Sequence, residues 1–131
     1  MLEGCKPLAI ALALSFLAAC AEPVMDAGGP GTTGTTAIGK VFVDANGMTL
    51  YTYDLDGPEK SNCSGLCAVA WPPVKAAPNA KPIGRFNLIP RSDGSKQWAY
   101  DDKPLYGYVS DTNPGDIKGD GADGVWHVAK P

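Results

Sequence analysis

A chain of 131 residues with 11 basic and 14 acidic side chains carries a formal charge of -3, so it has no cation surplus to neutralise a phosphate backbone, which excludes nucleic acid as a partner. The length suits one small domain, and 16 glycines with 12 prolines imply short elements separated by turns.

Lys6 precedes an apolar run from Leu8 to Leu17 that closes as Leu17-Ala18-Ala19-Cys20. A charged start, about 10 apolar residues and small residues before the break describe a secretory signal too short to span a bilayer. The small-small-Cys ending resembles the lipobox of bacterial lipoproteins, in which the signal is cut before the cysteine. That resemblance implies that residues 1–19 are a lipoprotein signal peptide and that Cys20 carries the lipid, with palmitate as the expected type of acyl chain. The membrane is then a partner through the lipid, held stably when two or three chains bury methylenes at roughly 0.8 kcal/mol each. It also implies a cell-envelope location. Ala21 rather than Asp after the cysteine points to the outer membrane, facing the periplasm, in a host with two membranes. Loss of Glu3 and Lys6 with the signal leaves the net charge unchanged.

Residues 20–38 follow as the lipidated cysteine and a flexible linker, because Gly, Thr, Ala and Pro dominate and offset little ordering entropy. Such a coil spans on the order of 25 Å. Cys5 leaves with the signal and Cys20 is acylated, so Cys63 and Cys67 remain in an oxidising space where a disulfide is the default.

Residues 39–131 contain an internal repeat. Shifting the sequence by 55 places Leu50, Tyr51, Tyr53, Asp56 and Trp71 on Leu105, Tyr106, Tyr108, Asp111 and Trp126, giving repeat 1 at about 39–75 and repeat 2 at about 94–131. Each opens with a hairpin: Val41–Val43, the turn Asp44-Ala45-Asn46-Gly47 and Met48–Asp54, then Gln97–Tyr100, Asp101-Asp102 and Lys103–Val109. Alternation puts Tyr51 and Tyr53 on one face and Leu50 and Thr52 on the other, and separates Tyr106 and Tyr108 from Leu105 and Val109. Ser61-Asn62 offers caps for a short helix over about Cys63–Ala70 that Pro72-Pro73 would end. The expected fold is mainly β: a small pseudo-symmetric domain of two hairpin-based repeats with one short helix. Trp71 and Trp126 should lie buried at equivalent places.

Tyr51-x-Tyr53-x-x-Asp56 and Tyr106-x-Tyr108-x-x-Asp111 resemble the Y-x-(F/W/Y)-x-x-D motif of the bacterial secreted-repeat lipoproteins. Cys63-Ser-Gly-Leu-Cys67-Ala-Val-Ala-Trp71-Pro72-Pro73 and the ending Pro114-Gly115-Asp116 with Gly124-Val125-Trp126-His127-Val128 are also similar to that family. The resemblance implies no reaction, substrate or catalytic residue. The second repeat departs from the first in lacking the cysteine pair.

Other chemistry is weakly encoded. Three residues separate Cys63 from Cys67, one more than in thioredoxin-like sites, and Ala68 rather than His excludes haem attachment. His127 is the sole histidine, too few for blue copper or catalytic zinc. Asp116, Asp120 and Asp123 in the glycine-rich loop fail the EF-hand pattern, since Lys118 takes an oxygen position, and read as turn residues. Asp56 and Asp111 read as aspartates bonding turn amides, with a carboxylate pair for acid/base work as the alternative. No catalytic residue, metal site or cofactor is assigned, and the sequence points away from an enzyme. The expected function is a lipid-anchored envelope module that binds an unidentified envelope ligand or protein. The alternative is a redox or metal-handling accessory using Cys63 and Cys67, with His127 and Met48 in support.

Overall fold

The computed structural model describes residues 30–131, so the signal peptide, Cys20 and the linker up to residue 29 lie outside the described residues. The first strand is one that composition hides. Thr32–Thr36 forms β1, antiparallel to β2 at Gly39–Val43, with Thr32 opposite Val43 and Thr36 opposite Gly39. This corrects the linker boundary at residue 38. β-Branched threonines suit a half-exposed strand once a neighbour supplies the ladder bonds. Gly34 interrupts the threonines where a Cβ would come within 2.9 Å of the Val43 side chain.

After the Asp44–Gly47 turn, the chain returns to β2 only through Thr49 and Leu50, and then leaves it. Asp44 holds the turn by accepting the Asn46 and Met48 N–H groups at 2.8 and 2.9 Å. β3, Tyr51–Tyr53, pairs instead with the final strand of the chain. α1 covers only Leu66–Ala70, starting after Gly65 at φ 60° with no side-chain cap. The expected start at Cys63 is therefore three residues early. Ser61 does not cap the helix; its hydroxyl accepts the Cys63 N–H at 3.2 Å and meets Tyr106 Oη at 2.6 Å.

β4, Lys75–Ala76, joins one edge of β6, Lys96–Tyr100, whose other neighbours are β5, Phe86–Pro90, and β7, Lys103–Pro104. Asp101 and Asp102, both left-handed at φ 49° and 66°, make the tight turn between β6 and β7. β5 is the counterpart of β1: Leu88 faces Trp98 as Thr33 faces Phe42. Repeat 2 thus begins near residue 86 rather than 94, and repeat 1 near residue 32 rather than 39. The two opening strands share backbone register but not side-chain type, so the shifted sequence alone did not expose them.

The last strand, β8, is Trp126–Val128, and it shows how the copies are joined. Tyr51 pairs with Val128, while Tyr106 bridges to Pro73, the residue equivalent to Val128. Each copy's tyrosine strand is therefore bonded to the segment that follows the tryptophan of the other copy. Tyr51 and Tyr106 also exchange backbone bonds directly, N–H to carbonyl at 2.7 and 2.9 Å, which sets a local twofold axis between them. The relation extends outward: Asp54 N–H to Val125 O matches Val109 N–H to Ala70 O, and Ala129 N–H to Leu50 O matches Val74 N–H to Leu105 O.

Alternation of the central strands sorts their side chains into two cores. Tyr51, Tyr106, Trp71 and Trp126 fill one with Val41, Val43, Cys63 and Val128. Leu50, Leu105, Phe42, Trp98 and Ala129 fill the other. Val109 leaves both and is exposed. Truncating Trp71 or Trp126 to alanine should cost about 3–5 kcal/mol, as large aromatic-to-alanine changes in cores do. Asp123→Asn should change stability by less than roughly 0.5 kcal/mol, because the side chain is exposed and Asn tolerates the left-handed backbone there. Denaturant midpoints of the three variants check the contrast.

Candidate functional site

The repeated motif residues meet across the twofold axis. Tyr51 Oη donates to Asp111 Oδ2 at 2.6 Å, and Tyr106 Oη donates to Asp56 Oδ2 at 2.7 Å. Each aspartate follows its own strand through a turn, with Asp56 N–H on Tyr53 O and Asp111 N–H on Tyr108 O, both at 3.1 Å. The second carboxylate oxygen closes the following loop, Asp56 by accepting Asn62 N–H at 2.7 Å and Asp111 by accepting Lys118 N–H at 2.9 Å. Bonding of turn amides was expected; receipt of the other repeat's phenol was not. No bond links the two carboxylates to each other among the described residues.

Burial pushes the Tyr51 hydroxyl well above its ordinary value, and the Asp111 carboxylate pushes it further. Burial also raises Tyr106, opposed by the Ser61 bond and reinforced by Asp56. Desolvation raises Asp56 above the ordinary carboxylate value, although the Asn62 amide and Tyr106 hydroxyl pull it back. On this side the network is deeper. Arg91 Nη1 donates to Ser61 Oγ at 3.0 Å and Gln97 Oε1 at 2.7 Å, while Arg91 Nη2 donates to Cys63 O at 2.9 Å.

The remaining motif rings form a single column. Tyr53 stacks on Trp126 at 4.2 Å, Trp126 on Trp71 at 3.8 Å and Trp71 on Tyr108 at 4.0 Å, with interplanar angles of 17°, 4° and 16°. Tyr51 meets Trp71 edge-on at 5.4 Å, and Tyr106 meets Trp126 edge-on at 5.2 Å. The tryptophans are not merely at equivalent places; they lie face to face across the axis. Close approach is kept by Gly119, where a Cβ would fall 2.6 Å from Trp71 Cη2, and whose N–H donates to Tyr51 Oη at 3.2 Å. In sequence this glycine is one of several in the glycine-rich loop around Asp116 and Asp120.

Both ends of the column open onto clefts of related construction. Tyr53 lines one of about 360 Å³, between the Thr52–Asp56 segment and the β6–β7 turn. Tyr108 lines the other, of about 420 Å³, between the Gly107–Asp111 segment and the Asp44–Met48 turn. The clefts are equivalent in position and unlike in chemistry. The first is walled by Asp54, Asp56, Asp101, Asp102 and Lys103; the second has Asp44, Asp111 and Lys75 beside Met48, Leu50, Pro72, Pro73 and Val109.

A family model described as a secreted repeat of unknown function matches the chain twice, at residues 32–75 and 87–130. The chain belongs to this secreted-repeat family. The two matches are displaced by the same 55 residues that superimpose the tyrosine and tryptophan motifs; the first includes all of β1 and the second all of β5 but Phe86. Neither curated proteins nor solved structures gave a match.

The other sequence candidates of this secreted-repeat domain take structural positions. Cys63 and Cys67 are disulfide-bonded, with Cα atoms 5.2 Å apart. In the chain-entropy model so small a loop stabilises by about 2 kcal/mol. Cys63 is fully buried, which restricts attack by an external thiolate at that sulfur. His127 lies on the outward face of β8, its Nε2 2.7 Å from Asp54 Oδ2. Asp116 accepts the Thr112 and Asn113 N–H groups at 2.9 and 3.0 Å, and those amides hold its carboxyl below the usual range. Asp120 accepts Val128 N–H at 3.1 Å. Among the described residues no group of three or more His, Cys, Asp or Glu is placed to hold a metal ion.

Tyr51→Phe and Tyr106→Phe should each lose about 1.5–3 kcal/mol of stability, the range for a hydrogen bond to a charged group, measured by chemical denaturation. The double variant tests whether the two losses add across the axis. Asp56 also implies a pH dependence. Its folded value lies above its unfolded one, so its contribution is present in acid and is lost as pH rises through the folded value. The stability of wild type relative to Asp56→Asn should therefore fall as pH rises from below the ordinary carboxylate range to above Asp56's raised value, as read by urea titrations across that interval.

Proposed function

We propose that this secreted-repeat domain is a lipid-anchored envelope module that binds a ligand or protein partner through its paired clefts, with Cys20 as the anchor. The observation that carries the reading is the divergence of two equivalent clefts. Duplication built both from the same backbone, and stability alone would not require four carboxylates at one and only two, Asp44 and Asp111, beside Met48, Leu50 and Val109 at the other. The cleft at Tyr53 joins an aromatic ring to Asp54, Asp56, Asp101 and Asp102, of which Asp101 is ion-paired to Arg85 and Asp54 bonded to His127, a combination that suits a ligand rich in hydroxyl donors or one bearing a cation. The Tyr108 cleft, with Asp44, Asp111 and Lys75 beside Met48, Leu50 and Val109, suits a ligand that carries both an apolar and a polar group.

The lipobox-like ending supports anchoring, and the family is one of secreted repeats. No helix among the described residues is long and apolar enough to cross a membrane. In a host with two membranes, Ala21 after the lipidated cysteine favours residence in the outer membrane, facing the periplasm.

Two measurements test the reading. Cys20→Ser should abolish acyl-chain labelling and move the protein from the membrane to the soluble fraction; retention with undiminished label removes the anchor. Titration of the domain with spermidine and with N-acetylglucosamine, followed by amide chemical shifts, should perturb Thr52–Pro58 and Asp101–Lys103 ahead of Gly107–Asp111. Equal response of both clefts, or none, removes the polar cleft as a binding site.

A further inference from the structure

The geometry points to a one-electron sink: the Tyr53–Trp126–Trp71–Tyr108 column collects oxidising equivalents at the two clefts and passes them to Tyr51 and Tyr106, each already hydrogen-bonded to a carboxylate. The co-reactant is a strong one-electron oxidant, of the class of oxygen-centred radicals or high-valent haem iron. This activity is independent of cleft ligand and lipid anchor.

Four observations converge on it. Indole and phenol rings are the side chains most readily oxidised by one electron among those packed in this core. Here all four column rings are in van der Waals contact, face to face, so that neighbouring π-systems overlap from one cleft to the other. Each central indole touches one buried phenol edge-on, Trp71 with Tyr51 and Trp126 with Tyr106. A phenol cannot rest as a radical cation and must shed its proton on oxidation. A base already in hydrogen-bond contact makes that transfer immediate for a buried phenol, and Asp111 and Asp56 stand at 2.6 and 2.7 Å. Burial, which raises the proton affinity of Asp56, favours the transfer.

The steps balance. An oxidant at either cleft takes one electron from Tyr53 or Tyr108 and is reduced by one unit, while that phenol releases its proton to cleft water. The adjacent indole returns an electron to the end ring, which regains a proton from water, and the indole is left as a radical cation. Tyr51 or Tyr106 then reduces that indole. Its O–H bond breaks, the electron goes to the indole and the proton forms an O–H bond on Asp111 or Asp56. The resting state is a neutral tyrosyl radical beside a protonated carboxylic acid. A one-electron donor of the thiol or phenol class restores it through the same column: the electron returns to the buried tyrosyl, and the carboxylic acid gives back its proton.

The test is flash-quench oxidation of the full-length chain in detergent, with photogenerated tris(bipyridine)ruthenium(III) as the oxidant. Electron paramagnetic resonance reads the tyrosyl radical and transient absorption reads the indole radical. Wild type should yield a tyrosyl radical, and the Tyr51→Phe/Tyr106→Phe double variant should lose it by about an order of magnitude although Tyr53, Tyr100 and Tyr108 remain. Decay of the indole radical should slow in D2O, and should slow again in Asp56→Asn/Asp111→Asn. Undiminished tyrosyl yield in a folded double variant overturns the proposal, as does indole decay indifferent to D2O and to both aspartates. Should the double variant fail to fold, difluorotyrosine at positions 51 and 106 keeps the ring and the bond. A radical signal carrying fluorine coupling supports the proposal, and one without it overturns it.

Discussion

The hydroxyl of Tyr51 leaves its own repeat to reach Asp111, and that of Tyr106 returns to Asp56. The spacing Tyr-x-Tyr-x-x-Asp is the length this exchange requires. Strand alternation puts both tyrosines on one face, the first aimed edge-on at its own repeat's tryptophan and the third stacked on the other repeat's. Three residues beyond the second tyrosine, a turn closed on its carbonyl brings the carboxylate back toward the axis. A shorter interval would leave the aspartate on the strand, pointing along the pleat. A phenol taken into a core must keep a partner or lose stability, so the bond fixes the pairing of the copies as well as strengthening it.

Around that symmetric centre the copies differ in how they hold their loops. In the first, the Cys63–Cys67 disulfide and the Arg91 fork fasten the segment between aspartate and tryptophan. In the second, Gly119 lets the same segment lie directly on Trp71 and give its N–H to Tyr51. The covalent link of one copy is matched by close approach of backbone in the other. The absence of cysteines from the second repeat is thus compatible with an equally closed core. The asymmetry reaches the surface as well, where Asp54 and Val109 occupy equivalent positions at the mouths of the two clefts.

Much of this was legible in the sequence, for identifiable reasons. Large side chains repeated at one offset revealed the tyrosine strands, the aspartates and the tryptophans, because an aromatic core tolerates few substitutes. Asn-Gly and Asp-Asp turns announced themselves through their backbone demands. β1 and β5 did not, since Thr32–Thr36 and Phe86–Pro90 contribute ladder bonds while their side chains follow different environments. Helix α1 began late because Gly65 and the network at Ser61 and Cys63 hold the preceding residues out of helical geometry. The exchange of partners between copies was beyond reading. Each tyrosine strand is as compatible with its own tryptophan segment as with the other's, and only distance along the chain separates the alternatives. Gly119 carried no signal apart from its neighbours, because what it permits is set by a ring far away in sequence.

The ladder between β3 and β8 joins Tyr51 of the first copy to Val128 at the end of the second. Neither copy alone contains both sides of its central ladder, both partners of its buried hydroxyl or a complete aromatic column. An isolated repeat would expose a phenol, a carboxylate and an indole face whose complements lie only in a second copy. The unit of folding is therefore the pair, and the chain must close a long loop before its central contacts form. Longer arrays of such repeats are expected to come in even numbers. A chain with a single repeat would have to find its complement in another molecule, turning an internal fold into a twofold dimer.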